Sequence, residues 1–525
     1  MQSSADGFFL SQNNSPYIRN IYYLYADFFL QFVMRKIIPL IFFVVAATYG
    51  FFRPELFNFN EQNQFFMFGS GYLMEHLAIP SEMSGYVAEF FVQFFIIPIL
   101  GSVVLAGLLT AFGLIIRNLS EQYSGRECNT ALAFLPSAAI ATYFADEFVM
   151  LAFPVSLIIS MLMAKAYVSA QSPRRWLAQI VVLPLVYWIT GYGVWPYIIV
   201  TLLFDARMRN LDAKGLAVQL TAMIVWISAF IMIMANTALV QYTYQHLLLG
   251  CNFYRWPMQW PAGQHICTVM AVAAVWALGR VRDFRYSGCI ASALMLAVLL
   301  IGSYSNYDKN RSLLLRMDYW VRFQKWEEIV AFSEKNPIPN EMAVTATNLA
   351  LAQMGQLPAR FEQFPQMGME GLISSFKFNM VFNATSAEVC YYLGFINQAL
   401  RFNYDSQAAI SNKNMSARFS RRIAETYLLN GNFDAARMYT ARLRKTIFYS
   451  AFARNLDDCM DHPEKIMENP RWQRITSCRI SDNDYYFAPS SLNYHLARMC
   501  KKGSGNPLVH QYFICSSKFS TQKKD

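Results

Sequence analysis

Between Lys36 and Tyr304 the chain passes through a succession of apolar stretches, separated by short loops in which Lys and Arg gather. Each stretch approaches the length of a bilayer crossing, which takes about 20 apolar residues in a helix. Only a helix or a closed barrel satisfies its own backbone where no water is present, so this pattern restricts the N-terminal part to membrane-spanning helices. The candidate spans are 37–52, 88–116, 129–144, 148–168, 177–190, 192–204, 216–238, 264–279 and 287–303. After Tyr304 the chain reads as an ordinary charged domain. Over all 525 residues, 55% are hydrophobic and 15% are charged, against roughly 25% charged in soluble domains. The shortfall is concentrated before Tyr304. The predicted fold class is therefore all-α: a cytoplasmic segment over 1–36, a polytopic transmembrane domain of about nine spans over 37–303, and a soluble helical-repeat-like domain over 304–525.

Charge sets the expected orientation. Basic residues cluster at Arg35-Lys36, at Arg117 and Arg126, at Lys165 with Arg174-Arg175, at Arg207, Arg209 and Lys214, and at Arg280, Arg282 and Arg285. The intervening loops carry chiefly Arg53 and Arg255. The stretch 177–204, interrupted by Gly191-Tyr192-Gly193 and Pro196, reads as one tilted helix or as two short ones. Every basic cluster falls on one side only if it crosses twice, as a hairpin. The positive-inside rule then places the N-terminus in the cytoplasm and the C-terminal domain on the far side, periplasmic for a bacterial inner (plasma) membrane. Residues 1–34 carry aromatic clusters such as Tyr22-Tyr23-Leu24-Tyr25 and no compact apolar core with a small-residue cleavage site, so the first span is expected to act as an uncleaved anchor. The net charge of +10 is accounted for by loops facing membrane lipid. No basic stripe stands on a reader motif, so no nucleic acid is expected as a partner.

Beyond Tyr304 the signals are helical. Ala424, Tyr427, Gly431 and Ala436 recur at helix-pairing offsets around Phe433, in a spacing that resembles the tetratricopeptide repeat, where small residues let paired helices approach and Gly closes the turn. Weaker echoes lie at Trp320 with Trp326, at Asn348–Gly355 and at Tyr391-Tyr392-Leu393-Gly394. A short helical solenoid or an irregular bundle satisfies this pattern. Of nine cysteines, Cys390, Cys459, Cys478, Cys500 and Cys515 lie in the exported part, where Cys459–Cys478 and Cys500–Cys515 are the short-loop pairings. No metal spacing appears among them or among the six His, so no metal site is expected.

Polar residues beside spans are the candidate site. The loop 53–87 holds Glu61 and Gln64, and the next apolar stretch opens with Glu89 and Gln93, one helical turn apart. Asp146-Glu147 stand in a tight turn between spans. This arrangement resembles the membrane-embedded glycosyltransferases of the GT-C fold, which use polyprenyl-phosphate sugars. The resemblance implies Glu61 as a base on an acceptor hydroxyl, with Asp146 and Glu147 binding a divalent cation or orienting the acceptor. It implies Gln64, Glu89 and Gln93 as substrate contacts, and Arg255 as a partner for the lipid phosphate. The first loop carries Asn58-Phe59-Asn60-Glu61 where that family has paired acids. The chain also resembles a family of uncharacterised multi-pass inner-membrane proteins from Bacteroidota, through Glu61-x-x-Gln64-x-Phe66, Glu89-Phe90-x-x-Gln93-Phe94-Phe95, Arg322-x-x-x-Trp326 and Tyr391-Tyr392-x-Gly394. That likeness implies the architecture and no activity.

Two functions from different classes fit these residues. One is a glycosyl or related group transferase acting on a polyprenyl-phosphate-linked donor. The other is a non-enzymatic membrane-anchored scaffold whose helical repeats bind envelope proteins. A transporter is disfavoured, because the spans show no internal charged pairs and no inverted repeat. Solvation and turn chemistry alone also supply acids in such loops.

Overall fold

The computed structural model describes residues 35–170, 175–237, 243–249, 262–280, 287–305, 308–410, 415–477, 479, 489–503 and 505–521. These residues are helical or irregular apart from isolated bridge positions, such as that between Met367 and Met369. The chain forms two compact units. The first holds residues 1–49, 76–88 and 102–307, and the second holds 50–75, 89–101 and 308–525. The sequence boundary near Tyr304 is therefore incomplete, since two segments expected as loops and span ends of the N-terminal part belong to the core of the C-terminal one.

Among the described residues, six helices are long and apolar enough to cross a membrane: Arg35–Phe52, Pro98–Ser124, Ala152–Ser169, Arg175–Met208, Ala213–Ala235 and Ala262–Arg280. Thr130–Tyr143 and Gly288–Gly302 are shorter apolar helices. The expected span 88–116 is displaced to Pro98–Ser124. A short 3-10 turn, Gln93–Ile96, ends the preceding helix, and Pro98 opens the next, where its missing N–H costs nothing.

The long Arg175–Met208 segment folds back on itself. As a straight helix it would set Arg175 about 45 Å from Asp205. Instead the Arg175 guanidinium donates from Nε at 3.0 Å and Nη2 at 2.9 Å to Asp205 Oδ1. The reversal is at Gly191–Gly193, where Gly191 takes φ +55°, a backbone conformation that disfavours any side chain. Tyr167 and Gln219 donate to the other Asp205 oxygen, which closes the base of the hairpin.

Basic residues collect at one end of this unit. Arg35 pairs with Glu121 at 2.9 Å, Arg207 donates to the Ser124 carbonyl, and Arg207 and Arg280 both lie over the Tyr123 ring. The opposite end carries the contact of Ser102 with the Ala47 carbonyl and that of Thr142 with the Val298 carbonyl. Helices approach closely through glycine there, since a Cβ on Gly302 would sit 2.3 Å from Thr142 Cγ2.

The second unit is an array of helical hairpins. Four pairs are Lys309–Arg322 with Trp326–Lys335, Glu341–Gln353 with Leu357–Arg360, Met380–Leu393 with Ile396–Ala408, and Ala417–Leu429 with Phe433–Leu443. All four close through the same Schellman turn. Gln324, Gly355, Gly394 and Gly431 are left-handed, and the following N–H reaches back to the carbonyls of Trp320, Leu351, Cys390 and Tyr427 respectively. Three of the four positions are Gly, as the conformation asks; Gln324 holds φ +56° with a side chain. Cys500 and Cys515 are free thiols, and Cys478 lies outside the described residues.

Candidate functional site: a buried charge cluster in the helical array

The segment after the first candidate span has Pro54 at the start of a helix, Pro54–Gln62, and every residue from Glu55 to Gln62 is buried. Leu56, Phe57 and Phe59 supply the apolar part. The polar remainder enters a dry interior, where an uncompensated charge costs several kcal/mol. Each charge is accordingly matched by a side chain from the C-terminal helices. Glu55, fully buried, accepts from Ser312 at 2.8 Å and pairs with Arg316 at 3.2 Å and Arg53 at 3.3 Å. Asp318, also fully buried, takes a two-pronged contact from Arg418 at 2.7 and 2.9 Å, and Gln62 bridges the two.

Glu61 stands at the centre. Its Oε2 lies 2.7 Å from Arg322 Nη1, and its Oε1 accepts from the Tyr449 hydroxyl at 2.8 Å. Arg322 also donates to Tyr449 at 2.6 Å and to Asn58. Burial would make the Arg322 guanidinium easier to deprotonate, but Glu61, Tyr449 and Asp318 outweigh it and hold the group charged. Burial and Glu61 together push the Tyr449 hydroxyl above its ordinary value, despite the opposing pull of Arg322. A general base needs a lone pair free to face a proton. Tyr449 donates to one oxygen of Glu61, and the other, without a hydrogen-bond donor, faces Arg322 as an ion pair, so the geometry favours for Glu61 the part of a clamp that holds the segment in the array.

The other residues expected from this region stand nearby. Gln64 is buried and donates to the Asn60 carbonyl at 3.3 Å. Glu89 is buried and accepts from Tyr72. Gln93 accepts from the Ile447 N–H at 3.1 Å, and Phe94 packs edge-on against Phe448. Phe65 joins Ala417, Leu443, Tyr449 and Ala453 in one apolar cluster. Glu61, Gln64, Glu89 and Gln93 thus share one unit.

Arg418, Asp318, Arg322 and Tyr449 were missed as partners by sequence reasoning. The available signal was local: Leu56-Phe57-Asn58-Phe59-Asn60-Glu61 alternates polar and large apolar residues behind a helix-starting Pro, a pattern unlike a solvated loop.

A second ionic cluster ties later hairpins together. Arg422 grips Glu388 at 2.6 and 3.0 Å, pairs with Glu425, and lies 3.8 Å from the centre of the Tyr391 ring. Glu425 accepts from Tyr391 at 2.7 Å and from Trp472 Nε1 at 2.8 Å. Burial would push the Glu425 carboxyl up, but Arg422, Arg421 and these two donors hold it below the usual carboxylate range.

Asp146 and Glu147 belong to the first unit. Asp146 Oδ1 accepts from the Phe148 N–H at 3.0 Å, a turn-stabilising bond, and Glu147 is buried. Asp146 borders a mainly apolar cavity of about 610 Å³ among the helices Thr130–Tyr143, Ala262–Ala277 and Ser287–Ser305, with Thr142, Tyr143, Cys267, Leu294 and Ile301 on its wall. Arg255 lies outside the described residues. Among the described residues no group of three His, Cys, Asp or Glu is placed to hold a metal ion.

The fold and these clusters define a helical protein that joins a set of apolar, membrane-length helices to an array of helical hairpins. The chain belongs to the family of unknown function DUF6057, whose model matches residues 30–517. No curated protein and no solved structure matches the chain.

Proposed function

We propose that the protein is a multi-pass inner-membrane protein of the cell envelope whose nine crossings hold a helical-repeat array on the extracytoplasmic face, and that the array is a scaffold for envelope proteins. The observation that carries this reading is the pairing of Glu61 with Arg322 and Tyr449. It builds the segment between the first two spans into the core of the C-terminal array, so both lie on one side of the membrane. An even number of crossings must then separate them. Six single passes and one hairpin that returns the chain to its starting side meet that condition. A single pass through 175–208 does not. With the basic end cytoplasmic, the array is extracytoplasmic. The scaffold reading also fits first-loop acids that are held in internal bonds.

A second reading, a GT-C-like group transferase, is favoured by the cavity beside Asp146. Its volume and apolar wall suit a polyprenyl chain, with Asp146 at the polar end for the acceptor or a divalent cation. Complementation of a deletion strain separates the two. The scaffold reading expects Asp146→Asn to restore wild-type behaviour, and Tyr404→Ala with Met438→Glu, on exposed positions of the array, to fail while the protein accumulates. The opposite result, with envelope sugar lost in Asp146→Asn, replaces the scaffold with the transferase. Glu61→Gln alone is a poor test of chemistry, because it also breaks the clamp.

A further inference from the structure

The hairpin helix Phe433–Leu443 ends in a turn that carries Arg442, Arg444 and Lys445, all exposed. Its neighbours fix its depth. The Phe68 N–H donates to the Lys445 carbonyl at 2.7 Å, Gln93 receives the Ile447 N–H, and Phe94 meets Phe448 with ring centres 5.8 Å apart. Phe94 lies four residues before Pro98, the first residue of a membrane-length helix. Ile97 and Ile99 are 48% and 60% exposed, as expected of side chains that face hydrocarbon. At about 1.5–2 Å of rise per residue, Phe94 is about 6–8 Å from that boundary, and the turn packs against Phe94 and Gln93. The polar headgroup layer is about 5–8 Å thick on each side of the hydrocarbon.

Charge at this depth is poorly neutralised by the protein. Arg444 has Asp457 at 3.3 Å, Arg442 lies over the Tyr439 ring, and Lys445 has no ion pair among the described residues. The helix dipole accounts for Arg442 in the last turn, but not for Lys445 beyond the cap. Ile447 and Phe68, 40% and 46% exposed, add apolar side chains beside the cations. Cations flanked by exposed apolar groups are the composition of an interfacial anchor.

We propose that this turn rests in the headgroup layer and that Arg442, Arg444 and Lys445 bind the phosphates of anionic phospholipids. The proposal rests on the reading of Pro98–Ser124 as a span. Its test uses the full-length protein in nanodiscs of dioleoylphosphatidylcholine, with and without dioleoylphosphatidylglycerol, and reads the melting temperature. The anionic lipid raises the melting temperature of the wild type. The triple variant Arg442→Gln, Arg444→Gln, Lys445→Gln loses at least half of that rise, while a charge-matched control, Lys335→Gln, Arg474→Gln, Lys501→Gln, keeps it. Equal loss in the control overturns the proposal, as does an unchanged rise in the triple variant. Protection of the wild type by inorganic phosphate alone overturns it in favour of a free-phosphate site. Release of the protein from membranes by alkaline carbonate is the separate sign that the span reading itself has failed.

Discussion

The carboxylate of Glu61, on the first segment after a candidate span, sits 2.7 Å from the guanidinium of Arg322 in the C-terminal helical array. Removing one member of a buried pair leaves the other uncompensated, at about 3–5 kcal/mol. Glu61→Ala and Arg322→Ala are each expected to lower stability by that amount. The double variant should cost clearly less than their sum, because each single loss is mostly the cost of the partner charge it strands, and the double variant strands neither. Thermal melts of the four proteins measure the coupling, and strict additivity sinks the clamp.

Gln324 occupies a left-handed turn position that Gly fills in the three sister hairpins. Gln324→Gly should raise stability by about 1 kcal/mol, since the αL penalty for a side chain exceeds the added freedom of the unfolded chain. A fall in melting temperature would mean that the contact of Gln324 with Arg471 outweighs backbone strain.

Acid should loosen the Arg422 cluster. The folded Glu425 carboxyl lies below its ordinary value. Its contribution is therefore present above about pH 4.3, the unfolded value, and is lost as pH falls through the lower folded one. Trp472 donates to this carboxylate, and thermal melts across a pH series read the effect. Wild type should lose stability over that acid window, and Glu425→Gln should start less stable and show a flatter dependence. Parallel pH profiles would remove Glu425 from the account.

Topology reporters provide a fourth check. Green fluorescent protein fused after Asn210 should fluoresce, and alkaline phosphatase fused at the C-terminus should be active. A fluorescent C-terminal fusion would contradict the extracytoplasmic placement of the array.

The sequence itself determined that the chain is helical, where most of its apolar helices lie to within several residues (the second is displaced by ten at its start), and that basic residues alternate with neutral loops. These follow from local composition and from backbone satisfaction in an apolar medium. It also marked the hairpin turns, because a left-handed residue at a helix end selects Gly locally. The fold-back at Gly191 was legible as one of two alternatives, and the contact of Arg175 with Asp205 chose between them. What only the tertiary structure decided is what the polar residues do. Glu61, Gln64, Glu89 and Gln93 look like loop or site residues in a linear chain, since solvation, catalysis and burial all employ the same side chains. Gln64 and Glu89 bond within their own stretch of chain, but the partners of Glu61 and Gln93, namely Arg322, Tyr449 and the Ile447 N–H, lie hundreds of residues away. A buried charge is identified by its counter-charge, and that pairing exists only once the array has closed around it.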